Sequence, residues 1–407
     1  MRSCFVLAFL FILTLVSCYP KTKFLKEGKW RGVFILADNE IPFQFEAMGA
    51  SPDSTAIFLI NGVDRFPLNK ISYYNDSLSV PIDLYDAVIL GKLDGAVLHG
   101  NLVKHFAGKP DEKIPFIAEY GKPRFAPPKE APSVTLNGTW DIHFINGNDT
   151  EKTVGAFKQE LSNITGSILT TTGDYRFLEG IVHGNKFEMS SFGGSTPYLL
   201  KGEFSNEDQF AAEFITPKRK IKLYGTRNPN ASLPDPYKAS QLKPGYSTIE
   251  FSFPNLEGKQ ISLSDARYSG KVVVVTILGS WCPNCLDENA FLSGWYKSNK
   301  ERGVEIIGLG FERKNDYESA KKSLTNLKNR LGITYEILFA GQSGTASASQ
   351  ALPALSGISA FPTTIFIDKK GKVRKVHTGF NGPATGNFYE EFKKEFNTLI
   401  EGLLNEK

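Results

Sequence analysis

The chain has 407 residues, 41% of them hydrophobic and 22% charged, and a formal net charge of +4. Such a composition is that of ordinary folded material, long enough for two or three domains. The charge is slight and the lysines are scattered, so nothing supports a nucleic-acid partner.

The chain opens with Met1-Arg2 and an apolar stretch from Phe5 to Val16. That is a positive n-region and an h-region too short to span a bilayer, so residues 1–17 read as a signal peptide. Leu15-Val16-Ser17-Cys18 resembles a bacterial lipoprotein signal, with small Ser17 before the cysteine to be lipidated. The resemblance implies a triacylated Cys18, and two or more chains hold a protein stably on a membrane. Tyr19 stands where an aspartate often marks inner-membrane retention, which points to a periplasm-facing protein of the outer membrane. A free periplasmic protein is the alternative. Residues 18–27 form a tether.

Residues 28–121 and 136–228 carry short alternating runs punctuated by glycine and asparagine, the signature of antiparallel strands. The two stretches resemble each other. Gly28-Lys29-Trp30-Arg31-Gly32 answers Asn137-Gly138-Thr139-Trp140-Asp141, and Gly62-Val63-Asp64-Arg65-Phe66 answers Gly173-Asp174-Tyr175-Arg176-Phe177. Trp30 to Trp140 is 110 positions and Phe66 to Phe177 is 111, so one register relates both pairs and an all-β unit is duplicated. Seven or eight strands per unit suit a small up-and-down barrel or meander, with Trp30 and Trp140 plugging the base. Residues 122–135 form a proline-rich, stiff linker and residues 229–242 a second one. His99-Gly100-Asn101 and His183-Gly184-Asn185 look like hairpin turns but do not align in the repeat, and no metal site is expected.

From residue 243 to 407 the pattern changes. The valine-rich run Val272 to Leu278 reads as a buried strand, followed by Gly279-Ser280-Trp281-Cys282-Pro283-Asn284-Cys285 and a helix to about Asn299. A strand from Val304 to Phe311, a helix from Asp316 to Leu331 and a strand from Tyr335 to Phe339 follow, an alternation that implies a parallel sheet. Ile365 to Asp368 and Val373 to His377, joined by Lys369-Lys370-Gly371, form a hairpin. With a CxxC upstream, the Phe361–Pro362 peptide is expected to be cis. The glycine-rich stretches Gly341 to Ser349 and Gly379 to Gly386 read as loops, the second near the cis-proline face.

Two cysteines where a strand hands over to a helix meet unpaired amides and a positive helix end, which favour a thiolate. A structural zinc site would need two more ligands, but the remaining cysteines, Cys4 and Cys18, lie in the leader. A static disulfide closing so short a loop stabilises little. The pair is therefore read as a redox switch, and with Cys18 lipidated it holds the mature protein's last thiols, as suits an oxidising compartment.

From about Lys243 onward the chain resembles the thioredoxin superfamily, and within it the extracytoplasmic TlpA/ResA-like thiol-disulfide oxidoreductases. The resemblance rests on Phe251-Ser252-Phe253, Ile261-Ser262-Leu263-Ser264, Gly270 to Val274, Trp281-Cys282-Pro283-Asn284-Cys285, Glu288 and Pro362-Thr363-Thr364 with Ile367-Asp368 and Gly371. It implies Cys282 as nucleophile, Cys285 as resolving thiol and a cis Pro362 facing the disulfide. Trp281, Pro283, Phe361 and Pro362 are the expected substrate contacts, with a peptide pairing beside Phe361-Pro362. No cofactor is implied. Cytoplasmic thioredoxins bury an aspartate six residues before the first cysteine, where this chain has Thr276; Glu288, three residues after Cys285, matches the acidic position of the TlpA/ResA-like group. One helical turn from Cys285, it is within range of a general acid or base, against the alternative of a solvated helix carboxylate. Ala290 stands where the family often has a helix-kinking proline.

The expected architecture is therefore two small all-β meander or barrel units followed by an α/β thioredoxin-like domain, an arrangement that resembles lipoproteins of Bacteroidota-type bacteria. The expected function is periplasmic reduction of protein disulfides, with electrons from a membrane thiol donor. Substrates would be apocytochrome thiols, a damaged envelope protein or another oxidoreductase. A thiol peroxidase would want threonine or serine three residues before its cysteine, where Gly279 stands. An envelope ligand-binding or stress-response lipoprotein with an accessory dithiol is the remaining alternative.

Overall fold

The computed structural model describes residues 24–49, 51–68, 70–106 and 109–406. The leader and Cys18 lie outside the described residues, and the signal-peptide and lipidation expectations with them. No helix among the described residues is long and apolar enough to cross a membrane.

The N-terminal region is all β. Strands such as Ser77–Ile82 and Leu178–His183 bury every second side chain, the pattern of a sheet with one face on a core. They form two antiparallel nine-stranded sheets, more strands than the expected seven or eight. The excess lies in Asp64–Pro67, Ser72–Tyr74 and the two-residue Gly173–Asp174, too short to show a period. In the second sheet Gly138–Asn146 pairs with both Asp149–Glu160 and Lys220–Arg227, while Asp149–Glu160 also pairs with Asn163–Thr170. Eight strands thereby close into a barrel, whose interior is filled by side chains such as Trp140, Phe187, Phe204 and Phe210.

The first sheet follows the same meander but, among the described residues, does not close; Asp64–Pro67 and Ser72–Tyr74 are its edges there. Its apolar interior instead receives Phe192 from the second unit, with ring centroids 4.8 Å from Phe34 and 5.4 Å from Phe43. Buried Asn61 fixes that insertion, donating to Phe192 O and accepting from Phe192 N, both at 3.0 Å. The repeats share one further tie. Trp30 and Trp140 are fully buried, and each indole donates to the carbonyl four residues back, Lys26 O at 3.0 Å and Leu136 O at 2.8 Å.

His183-Gly184-Asn185 turns between two strands, but His99-Gly100-Asn101 lies inside the strand Val97–Phe106 and corrects the hairpin reading. Gly100 is there for space: a Cβ would stand 2.4 Å from Leu90 O and 2.6 Å from the Phe116 ring. The proline-rich segment between the sheets is tied down at Arg124. This buried guanidinium donates to Ile60 O, Asn61 Oδ1 and Ser190 Oγ and pairs with Glu179 at 3.3 Å.

The C-terminal part has a five-stranded sheet in the order Glu336–Gln342, Val304–Glu312, Val272–Leu278, Thr363–Ile367, Val373–Thr378. The first three are parallel and the last two antiparallel to their neighbours. Val272–Leu278 is buried at every position, because both faces of the sheet are covered. Val272 and Val274 pack with α1 (Pro283–Asn299), α2 (Tyr317–Leu331) and α4 (Asn387–Asn405). Val273 and Val275 face α3 (Thr345–Ala351) and the segment around Ile249 and Ile261. The α3 helix begins inside Gly341 to Ser349, so that stretch is a strand-to-helix connection rather than wholly a loop. This arrangement is a thioredoxin-like fold.

Candidate active site

The buried strand Val272–Leu278 ends at Gly279, and the chain turns once before α1 begins. Cys282 is the N-cap of that helix, its Sγ accepting from the Cys285 amide at 3.3 Å. Pro283 follows at the first helical position, where a missing N–H costs nothing. Both thiols are unbridged; Cys282 is 6% exposed and Cys285 fully buried. The Cys282 thiol donates to Phe361 O at 3.5 Å, across the cis Phe361–Pro362 bond that precedes Thr363–Ile367. Trp281 closes this side, its indole donating to Phe311 O at 2.8 Å and its ring 5.6 Å from Phe361. The structure therefore gathers Trp281, Cys282, Pro283, Cys285, Glu288, Phe361 and Pro362 at one end of the sheet; Cys18 lies outside the described residues.

Glu288 is not a solvated helix carboxylate. It is 1% exposed, and its two oxygens accept from Thr276 Oγ1 and Thr364 Oγ1, each at 2.6 Å. Burial pushes its carboxyl up to about 7, with the hydroxyls pulling the other way. Thr276, where cytoplasmic thioredoxins bury an aspartate, is thus a partner of the carboxylate on α1. Burial also raises the Cys285 thiol well above its usual range, and the Cys282 sulfur and the Glu288 charge push it further. Asn289, next along the helix, donates to Cys285 O and accepts from buried Tyr335 Oη, both at 2.7 Å.

Several residues of this region escaped the sequence reading. Glu312 ends the strand Val304–Glu312 and accepts from Ser280 N at 2.8 Å and Ser280 Oγ at 2.7 Å, holding the turn before Cys282. Burial pushes its carboxyl up to about 7. A charged residue closing an apolar parallel strand was the available signal, since such strand ends build sites. The others belong to the closed barrel. With its amide oriented to satisfy both partners, Asn284 donates to Asp174 O at 3.0 Å and accepts from Asp174 N at 3.1 Å. Arg176 grips Asp287 with two bonds of 2.8 Å, and the Asp174 carboxylate accepts from Gly382 N at 2.7 Å. Gly379 to Gly386 does reach the cis-proline, through Gly379 N to Pro362 O at 2.9 Å. No sequence period connects residues so far apart in the chain.

Chemically, the site offers one nearly buried thiol at a helix start, a second thiol behind it, and a carboxyl poised near neutrality. Residues 244–376 match the model of the AhpC/TSA family. Thiol-disulfide oxidoreductase ResA of Geobacillus thermodenitrificans is 32% identical over 135 residues, which are 33% of this chain and 69% of that protein. ResA of Bacillus subtilis is 30% identical over 138 residues, 34% of this chain and 69% of that protein. Among solved structures, a putative thiol:disulfide interchange protein DsbE from Chlorobium tepidum covers 39% of this chain and 99% of its own, at 19% identity and a TM-score of 0.31.

Proposed function

Because this chain belongs to the TlpA/ResA-like thiol-disulfide oxidoreductases of the thioredoxin superfamily, we propose that it reduces protein disulfides through Cys282 and Cys285, facing the periplasm. The observation that carries this reading is Cys282 Sγ set between the α1 amide of Cys285 and Phe361 O, with Cys285 buried behind it. The Cys282 thiolate attacks one sulfur of a substrate disulfide, and the other leaves as a thiolate that takes up a proton. Cys285 sulfur then attacks Cys282 sulfur and frees the second substrate thiol, its own proton passing to Glu288. Two electrons move to the substrate and the Cys282–Cys285 disulfide remains, to be reduced again by a membrane thiol donor.

The substrate chain lies beside Trp281, Pro283, Phe361 and Pro362, and pairs in extended form with the backbone before the cis-proline. Residues 28–121 and 136–228 form two β modules and residues 243–407 the catalytic domain. A redox titration of the dithiol tests the direction. A potential near that of thioredoxin, about −270 mV, is expected, and one near that of DsbA, about −120 mV, would make the protein an oxidant. Peroxide turnover faster than disulfide turnover would overturn the reading in favour of a peroxidase; the backbone at Gly279 supplies no hydroxyl for one.

Leu15-Val16-Ser17-Cys18 supports a lipid anchor on the periplasmic face of the outer membrane. Cys18→Ala is expected to abolish acylation and leave the precursor incorrectly processed. Unchanged membrane fractionation and an unchanged N-terminal mass would remove the anchor from the proposal.

A further inference from the structure

We infer that the barrel segment from Thr171 to Arg176 is a built-in occupant of the substrate groove, which a disulfide-bearing chain must displace before Cys282 can attack. The inference rests on the dithiol reading above. The turn lies against Gly379, the residue whose amide bonds Pro362 O: a Cβ at Gly379 would stand 3.0 Å from Thr172 C and 3.2 Å from Thr171 O. On the other side, the Asn284 side chain, between the two cysteines, engages both backbone groups of Asp174 as a paired strand would. Gly173 is required for this approach, since a Cβ there would stand 1.9 Å from the end of the Asn284 amide, and its φ is +143°. The Asp174 carboxylate and Arg176 guanidinium then satisfy Gly382 N and Asp287.

Cys282 is 6% exposed while those contacts stand. They are also the kind that exchange. The main apolar core of the barrel contains no residue of the thioredoxin-like part; a small apolar cluster of Val154, Leu169 and Phe388 joins the two elsewhere, while the segment itself is held by polar pairs that a substrate chain can replace. Beside the segment is a cavity of about 260 Å³ lined by Tyr85, Asp174, Arg176, Tyr198, Pro283 and Asn284. Among the described residues the buried Tyr85 hydroxyl has no hydrogen-bond partner, and an incoming polar chain would supply one. The displaced pairs also state the substrate chemistry: a protein disulfide with a basic residue close by, which takes the place of Arg176 on Asp287.

The test compares alkylation of Cys282 in the full chain by iodoacetamide and by a polymer-bearing maleimide. In the native protein the bulky reagent should lag far behind. Arg176→Ala should close that gap by about tenfold or more, by shifting the population toward the undocked state. Arg176→Lys keeps the charge without the fork, is the milder variant should Arg176→Ala fail to fold, and should close the gap by about threefold. In the native protein a peptide disulfide flanked by arginine should be reduced about fivefold faster, in kcat/KM, than its glutamate-flanked counterpart. An unchanged alkylation gap in both variants, or equal rates for the two peptides, would overturn the occupant while reduction of a small aromatic disulfide continued. Loss of that small-disulfide turnover in the native chain would instead overturn the dithiol reading itself.

Discussion

Cys285→Ser is expected to trap substrates as mixed disulfides on Cys282, and Cys282→Ser to trap essentially none. The asymmetry follows from where the two sulfurs sit. Cys282 caps α1 and keeps 6% of its surface exposed, whereas Cys285 is fully buried with its thiol held well above the usual range. A buried, protonated thiol is a poor nucleophile, so the Cys282→Ser chain should retain under about 1% of the trapping. Folding does not confound the comparison, because serine is a favoured N-cap and its oxygen can accept the Cys285 amide as Sγ does. In the Cys285→Ser chain the mixed disulfide forms normally and has no internal thiol to release it, so it survives on a non-reducing denaturing gel. Equal trapping by the two variants would reverse or dissolve the assignment of nucleophile and resolving thiol.

That dithiol was legible because everything it needs is local. An apolar valine run, two cysteines at a helix start and a proline before a strand lie in short windows, and the helices and strands of residues 272–378 appear close to where the runs place them. Glu288 was legible by its spacing from Cys285, but the hydrogen bonding of its carboxyl was not. That depends on Thr276 and Thr364, hydroxyls on two strands that meet only in the folded sheet. Thr276 reads in isolation as the loss of an acid, and in the structure it is a donor to one.

The β region was legible as a repeat and not as a topology. Period-two patterning identifies strands, but closure depends on whether Asp149–Glu160 reaches Asn163–Thr170, a pairing that alternation does not encode. His99 shows the same limit. A histidine-glycine-asparagine triplet is turn chemistry, yet the Phe116 ring opposite Gly100 demanded a glycine in mid-strand. Arg176 and Asp287 carry no mutual signal at all. Their pairing belongs to the contact between barrel and dithiol, which exists only after both have folded.

Glu288→Gln is expected to keep the fold and the first, mixed-disulfide step but to slow resolution by about ten- to a hundredfold, the low end for a positioned general base. Cys285 must lose its proton to attack, burial opposes that loss, and Glu288 is the buried carboxyl on the same helix whose charge acts on the Cys285 thiol. With its carboxyl at about 7, Glu288 changes from acid to base across the neutral range, so resolution in the native chain should rise with pH through that value. The glutamine variant should lose this inflection. Stability gives an independent reading of the same proton. The folded carboxyl lies above its ordinary 4.5, so the native state binds the proton more tightly and stability falls as pH rises from about 4.5 to about 7. Removing Glu288 should take away up to roughly 3 kcal/mol of that fall. Part of the slope will remain, because Glu312 is raised to a similar value by its own burial. Denaturant unfolding of both chains at pH 5 and pH 8 checks this, and stopped-flow resolution of a preformed mixed disulfide checks the rate. A variant that resolves at the parental rate from pH 6 to pH 8 would leave Glu288 as a buried structural carboxyl, with water carrying the proton from Cys285.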